Sequence, residues 1–231
     1  MHLGLIGGIG VAATVAYYER LTAALSDASY DLTIVHADVS TLIRNNLADE
    51  REAQAAAYAP LIERLKAAGA DCAAITSIGG HFCFAETVAR SSLPLVSAVA
   101  PLDDYFAGRG FSKVGLLGTR IVMETRLYGQ LERTEGVALD DALDEVGREY
   151  TEMARAGVCD ARRRAFFLDA GRRLVEEKGA DAVVLAGTDL TLAFGGEEPG
   201  YEVVDALDVH VDLLARLAQG EAALADHGVR G

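Results

Sequence analysis

Gly179-Ala180-Asp181-Ala182-Val183-Val184-Leu185-Ala186-Gly187-Thr188-Asp189-Leu190 reads as a short apolar strand that ends in a small, polar turn. An earlier segment has the same form: Gly69-Ala70-Asp71-Cys72-Ala73-Ala74-Ile75-Thr76-Ser77-Ile78-Gly79-Gly80-His81. The two Gly-Ala-Asp starts lie 110 residues apart, from 69 to 179, and the same offset pairs Ser77 with Gly187. A second pair keeps nearly that distance: Gly4-Leu5-Ile6-Gly7 opens the chain, and Gly115-Leu116-Leu117-Gly118 recurs 111 residues later. Each copy runs into a helical stretch carrying tyrosine, at Tyr17 and Tyr18 in the first and at Tyr128 in the second. Strand-then-glycine alone is common in α/β proteins. Two landmarks in one order and at one spacing predict a duplicated α/β unit. Duplicated units of this kind put a ligand where their strand ends face a shared cleft.

The chain has 231 residues, of which 51% are hydrophobic, with 24 Gly and 4 Pro, so an ordered globular core is expected. A formal charge of −14 argues against nucleic acid or an anionic membrane as the main partner, because phosphate binding needs clustered Lys and Arg. A local site can still hold a small anion. No apolar run is long enough to span a bilayer. Met1-His2-Leu3 runs straight into a strand, which predicts no signal peptide. Cys72, Cys83 and Cys159 match no zinc or CxxC spacing, which predicts no metal and a reducing cytoplasm.

Apolar runs alternate with helical periodicity along the chain. Strands are expected at 1–6, 31–39, 72–76, 95–99, 113–117, 182–186 and 203–204, with a less regular one beginning at Val137. Helices are expected at 11–26, 49–68, 83–91, 102–107, 119–134, 144–157, 160–178 and 208–218, and a frayed tail from Gly220. This order implies parallel sheets covered by helices.

Four places carry candidate chemistry. The glycine loop Gly7-Gly8-Ile9-Gly10 sits between a strand and a helix and could hold a carboxylate on backbone N–H groups. Its spacing fails the dinucleotide fingerprint, and no P-loop lysine follows. A tight turn explains it equally well. Ser77 and Gly187 hold equivalent turns. Ser77 is a hydrogen-bond donor, and His81 a candidate general acid or base, or else a core histidine. Thr188 and Asp189 bring a hydroxyl and a carboxylate to the second turn, where Asp189 acts as a base, orients one, or caps a helix. His210 follows Asp205 and Asp208 and lies beside the cleft or on the last helix.

These residues carry a resemblance to the aspartate/glutamate racemase family, enzymes that invert amino acids without pyridoxal phosphate. Gly4-Leu5-Ile6-Gly7-Gly8-Ile9-Gly10 with Ala13-Thr14 is similar to the family's opening Gly-hydrophobic-hydrophobic-Gly-Gly-Met-Gly-Pro-x-Ala-Thr. Gly115 to Glu124 with Tyr128 resembles its second-domain signature, and Asp205 with Val209-His210 its closing motif. The resemblance implies two pseudo-symmetric α/β domains with mainly parallel sheets, 1–100 plus 206–231 and 101–205, with the active site in the cleft between them. It also implies a homodimer with no cofactor.

The same alignment shows a departure. The family's first catalytic turn reads Cys-Asn-Thr-x-His and its second Gly-Cys-Thr-Glu. Here they read Ser77-Ile78-Gly79-Gly80-His81 and Ala186-Gly187-Thr188-Asp189. Inversion needs a base on one face of Cα and an acid on the other, and tuned thiols serve both. Ser77 would need an activating base, and Gly187 has no side chain. The expectation is therefore a small amino or dicarboxylic acid ligand and one-face chemistry such as decarboxylation, elimination or cyclisation. Ser77, His81 and Asp189 are the catalytic candidates. Gly8, Gly10, Thr14, Gly79, Thr119, Thr188 and His210 are the binding candidates. The alternatives are a racemase with a substituted acid and base, and an inactive metabolite-binding homologue.

Overall fold

A computed structural model of the chain describes residues 1–229. The chain forms two compact units, Met1–Ala98 with the segment from His210 onward, and Val99–Val209. The first unit runs β1 (His2–Gly7), α1 (Val11–Ala24), β2 (Asp31–His36), α2 (Val39–Leu47), α3 (Arg51–Ala67), β3 (Cys72–Ile75), α4 (Phe84–Arg90) and β4 (Leu95–Val96). The second runs α5 (Leu102–Gly108), β5 (Lys113–Leu117), α6 (Arg120–Glu124), β6 (Glu135–Val137), α7 (Leu143–Ala156), α8 (Ala161–Glu176), β7 (Ala182–Leu185), α9 (Thr191–Phe194) and β8 (Val203–Asp205). The boundary falls inside α10 (Ala206–Gln219), after which α11 (Leu224–His227) and β9 (Gly228–Val229) close the first unit.

One sheet has the order β2-β1-β3-β4-β9 and the other β6-β5-β7-β8. Strand for strand, β6-β5-β7-β8 repeats β2-β1-β3-β4. Every pairing is parallel except that of β9 with β4. The central strands β3 and β7 are buried along their whole length, which is why they read as unbroken apolar runs.

The repeated Gly-Ala-Asp does the same work twice. Gly69 and Gly179 end α3 and α8 with φ of +92° and +69°, a left-handed backbone that suits glycine. Ala70 and Ala180 then donate their N–H groups back to the Leu65 and Leu174 carbonyls at 3.0 and 3.1 Å. Asp71 accepts the His2 N–H at 2.7 Å, and Asp181 accepts those of Ser112 and Lys113 at 2.8 and 2.9 Å. The motif thus stops a helix and latches the next strand to the start of β1 or β5. The glycine opening each Gly-Leu-hydrophobic-Gly copy answers the same helix. A Cβ at Gly4 would stand 2.9 Å from Leu65 Cδ1, and one at Gly115 2.7 Å from Leu174 Cβ.

Several elements differ from the sequence reading. The strand expected over 31–39 ends at His36, and α2 follows it, N-capped by Asp38, whose carboxylate accepts the Ser40 and Thr41 N–H groups. The strand at 95–99 keeps only Leu95–Val96. The helix expected over 119–134 stops at Glu124, because Arg126, Leu127 and Tyr128 all have positive φ. Leu127 is fully buried there, and the Thr125 hydroxyl accepts the Tyr128 N–H at 3.0 Å. The tail from Gly220 is ordered into α11 and β9 rather than frayed, and Arg230 and Gly231 lie outside the described residues. Among the described residues no helix is long and apolar enough to cross a membrane, and no group of three or more His, Cys, Asp or Glu side chains is arranged to hold a metal ion.

Candidate active site

The candidate residues lie at the carboxyl ends of β1, β3, β5 and β7, where parallel α/β sheets present ligand-binding groups. In the first unit the glycine loop is tightly packed. A Cβ at Gly7 would stand 2.7 Å from Thr14 Oγ1, and one at Gly8 2.7 Å from Leu42 Cδ1. Gly10 has φ +79° and precedes α1 without a side-chain cap. The Thr14 hydroxyl lies 3.0 Å from that of Thr76, which itself donates to the Ile6 carbonyl at 3.1 Å. Thr14 therefore ties α1 to the strand ends.

The turn after β3 is buried, and its polar groups face one another. The Gly80 N–H is shared between the Ser77 hydroxyl and carbonyl, at 3.3 and 3.2 Å. His81 Nε2 accepts the Ala98 N–H at 3.0 Å, so the ring proton sits on Nδ1, which donates to the Ser77 carbonyl at 2.7 Å. The ring stacks on Phe84 at 5.1 Å between centroids. Burial pushes the His81 pKa down to about 4 against the partial support of Ser77, so the imidazole is neutral near pH 7. With both nitrogens committed to backbone groups, His81 holds the turn, and it offers the Ser77 hydroxyl no base. Gly79 contributes its carbonyl, which accepts from Asn46 Nδ2 at 2.9 Å. Ile78 is fully buried and polar at no atom of its side chain.

His210 is fully buried on α10. Its Nδ1 lies 2.7 Å from the Tyr17 hydroxyl, and its Nε2 has no hydrogen-bond partner. Burial, and then the nearby His81, lower its pKa to about 3; the Val96 backbone works the other way without closing a bond of full geometry.

The second unit is built differently. Thr119 N-caps α6, its hydroxyl accepting the Val122 N–H at 3.4 Å. After β7 come Gly187, Thr188 and Asp189, the last two fully buried. The place that a side chain at 187 would take is filled by the Tyr150 ring of α7. A Cβ built on Gly187 would stand 2.6 Å from Tyr150 Cζ. The Tyr150 hydroxyl donates to Asp189 Oδ2 at 3.3 Å. Burial, with the Asp189 charge second, raises the phenol's pKa well above the usual tyrosine value. The Thr188 hydroxyl lies in the same cluster without a hydrogen-bond partner of full geometry.

Two contacts fix α7 in this place. Gly147 lets it approach α6 closely, since a Cβ there would stand 2.9 Å from the Arg120 nitrogen. Glu149 accepts from Arg162 and Arg163 at 2.7 and 2.9 Å, joining α7 to the start of α8. Sequence reasoning misses Tyr150. It belongs to no motif, and its partner Asp189 is 39 residues further on. No thiol takes over. Burial pushes Cys72 up to about 12 and Cys83 up to about 11, and Cys159 is also raised by burial.

The paired sheets of one strand order define a two-domain α/β protein of the racemase type, and solved structures agree on that fold. A Yersinia pestis protein assigned as an Asp/Glu racemase superposes with a TM-score of 0.79 at 23% identity, covering 94% of this chain and 99% of that one. An aspartate racemase homologue from Pyrococcus horikoshii gives 0.74 at 24% identity, with 94% and 99% covered. The aspartate racemase of Picrophilus torridus gives 0.69 at 20%, with 94% of each chain covered. The sequence signature described as Asp/Glu/Hydantoin racemase matches residues 6–214, and the chain belongs to that family.

Proposed function

We propose that this protein acts at the α-carbon of a small amino or dicarboxylic acid, without pyridoxal phosphate, by proton transfer on one face only. The reading rests on one asymmetry. After β7 stands a carboxylate, Asp189, in contact with a phenol. After β3 the imidazole of His81 is neutral and committed at both nitrogens, and the Ser77 hydroxyl meets no base among the described residues. Inversion needs proton transfer at two faces, and only one turn holds a group suited to it. Isomerase- or lyase-type chemistry from one side follows. In the second unit Thr119 and Thr188, and in the first the amides near Gly8, Gly10, Thr14 and Gly79, are groups suited to a carboxylate, while His81 holds its turn and His210 ties α10 to Tyr17 of α1. The family resemblance supports a cytoplasmic homodimer, and the charge of −14 supports a metabolite rather than a nucleic acid as partner.

The test is incubation in heavy water with L- and D-aspartate, L- and D-glutamate and small dicarboxylates, followed by NMR and chiral chromatography. Deuterium at Cα with configuration retained, or a decarboxylated, eliminated or cyclised product, is the expected result. Conversion of one enantiomer into the other would instead establish an authentic racemase. Binding without exchange or product would establish the metabolite-binding reading.

A further inference from the structure

We propose that Tyr150 is the catalytic residue of the second unit, the atom in contact with the substrate being its phenol oxygen and Asp189 its proton acceptor. The assignment rests on the one-face reading above and names the group that carries it out.

Three observations converge on this phenol. First, Gly187 leaves open the position at the end of β7, and the Tyr150 ring takes it. The ring edge, Cε2 first and then Cζ at 2.6 Å, overlaps the place of a residue-187 Cβ, so the phenol is set against this turn. Second, the hydroxyl is not idle. It donates to Asp189 Oδ2 at 3.3 Å, within a cluster whose members are at most 1% exposed. Catalytic hydrogen bonds are often long before a substrate binds and tighten in the complex, so this distance is compatible with a proton relay. Third, the Thr188 hydroxyl is fully buried beside the Tyr150 phenol and closes no hydrogen bond of full geometry. A buried hydroxyl without such a bond costs about 1–3 kcal/mol, and a ligand's carboxylate oxygen would accept from it. A polar ligand atom at Thr188 would sit beside the Tyr150–Asp189 pair.

The step balances within these groups. The Cα–H bond breaks and its proton passes to the Tyr150 oxygen as the phenol's own proton passes to Asp189 Oδ2. The electron pair stays on Cα, delocalised into the substrate's carboxyl group. Return of a proton from the Tyr150 oxygen to the same face of Cα, after the phenol and Asp189 protons have exchanged with solvent, gives exchange with retention. The raised pKa of the phenol keeps it protonated near pH 7, so it is Asp189 that must be ionised for the step to begin.

The experiment uses the full chain in heavy water with the acid panel above. Tyr150→Phe keeps the ring that fills the Gly187 turn, and its folding is checked by its melting temperature. It should lower Cα exchange about 100-fold or more, with affinity for the same acid, measured by calorimetry, changed only a few-fold. Asp189→Asn should lose exchange near neutral pH. It should regain it at alkaline pH in step with the tyrosinate absorbance, and the Tyr150→Phe/Asp189→Asn double variant should not. Exchange that survives in Tyr150→Phe at the wild-type rate overturns the Tyr150 assignment and leaves the one-face reading standing. No exchange or product by the wild-type protein on any acid of the panel overturns both.

Discussion

Gly187→Ala tests the central packing claim, because two opposing effects act on it. The Gly187 backbone has φ −125° and ψ 113°, an extended conformation that alanine adopts without strain. At such a position Gly→Ala restricts the unfolded chain and stabilises by about 0.4–1 kcal/mol. Against this, the new methyl would enter the Tyr150 ring, with Cζ at 2.6 Å. Over-packing of this kind costs about 1–3 kcal/mol, so Gly187→Ala should be destabilising by ~1–2 kcal/mol net. Tyr150→Ala removes the obstacle and by itself costs about 3–5 kcal/mol, as large-to-small aromatic substitutions do. In that background Gly187→Ala should change sign and become neutral or slightly stabilising. The coupling in the double-mutant cycle should therefore be about 1–3 kcal/mol in favour of the pair. Urea unfolding followed by far-ultraviolet circular dichroism reads it as a shift in midpoint at constant m-value. Additive effects would mean that the ring does not occupy the residue-187 position, and the inference built on it would go with it.

Acid should destabilise the protein through its two buried histidines. The folded pKa values of His81 and His210, about 4 and about 3, lie below the ordinary 6.5. As pH falls through that value the unfolded chain takes up the protons first, and stability drops by up to ~1.4 kcal/mol per pH unit for each histidine until the folded values are reached; a flat stability profile between pH 7 and pH 5 would contradict this. Asp71→Ala and Asp181→Ala should each cost about 1 kcal/mol, since each removes an exposed carboxylate latch on a strand N–H. Chemical denaturation of the two variants measures both. Iodoacetamide should alkylate Cys159 in the native protein, and Cys72 and Cys83 only after unfolding, because burial raises both thiols and shields them. Mass spectrometry of labelled peptides distinguishes the order.

The fold is legible because its landmarks are local chemistry. A left-handed glycine, a small residue and a strand-latching aspartate must follow one another in sequence to stop a helix and start the next strand, so the duplicated Gly-Ala-Asp carries the duplicated topology openly. Helix α2 escapes notice for the opposite reason. Its Asp38 cap follows directly on β2, and its periodicity is cut by Asn45 and Asn46. The site is less legible, since its decisive bonds join residues to backbone groups far along the chain. His81 looks like a free acid–base in the motif, and it becomes a turn-holding group only when the Ala98 N–H reaches its second nitrogen. Gly187 looks like a loss. Yet a glycine at the end of a buried strand leaves a void unless something fills it, and interiors close such voids. The filler here is not a methyl but a ring bearing a hydroxyl, set against a carboxylate two residues from the glycine itself. The missing side chain at 187 and the phenol of Tyr150 are therefore one structural change.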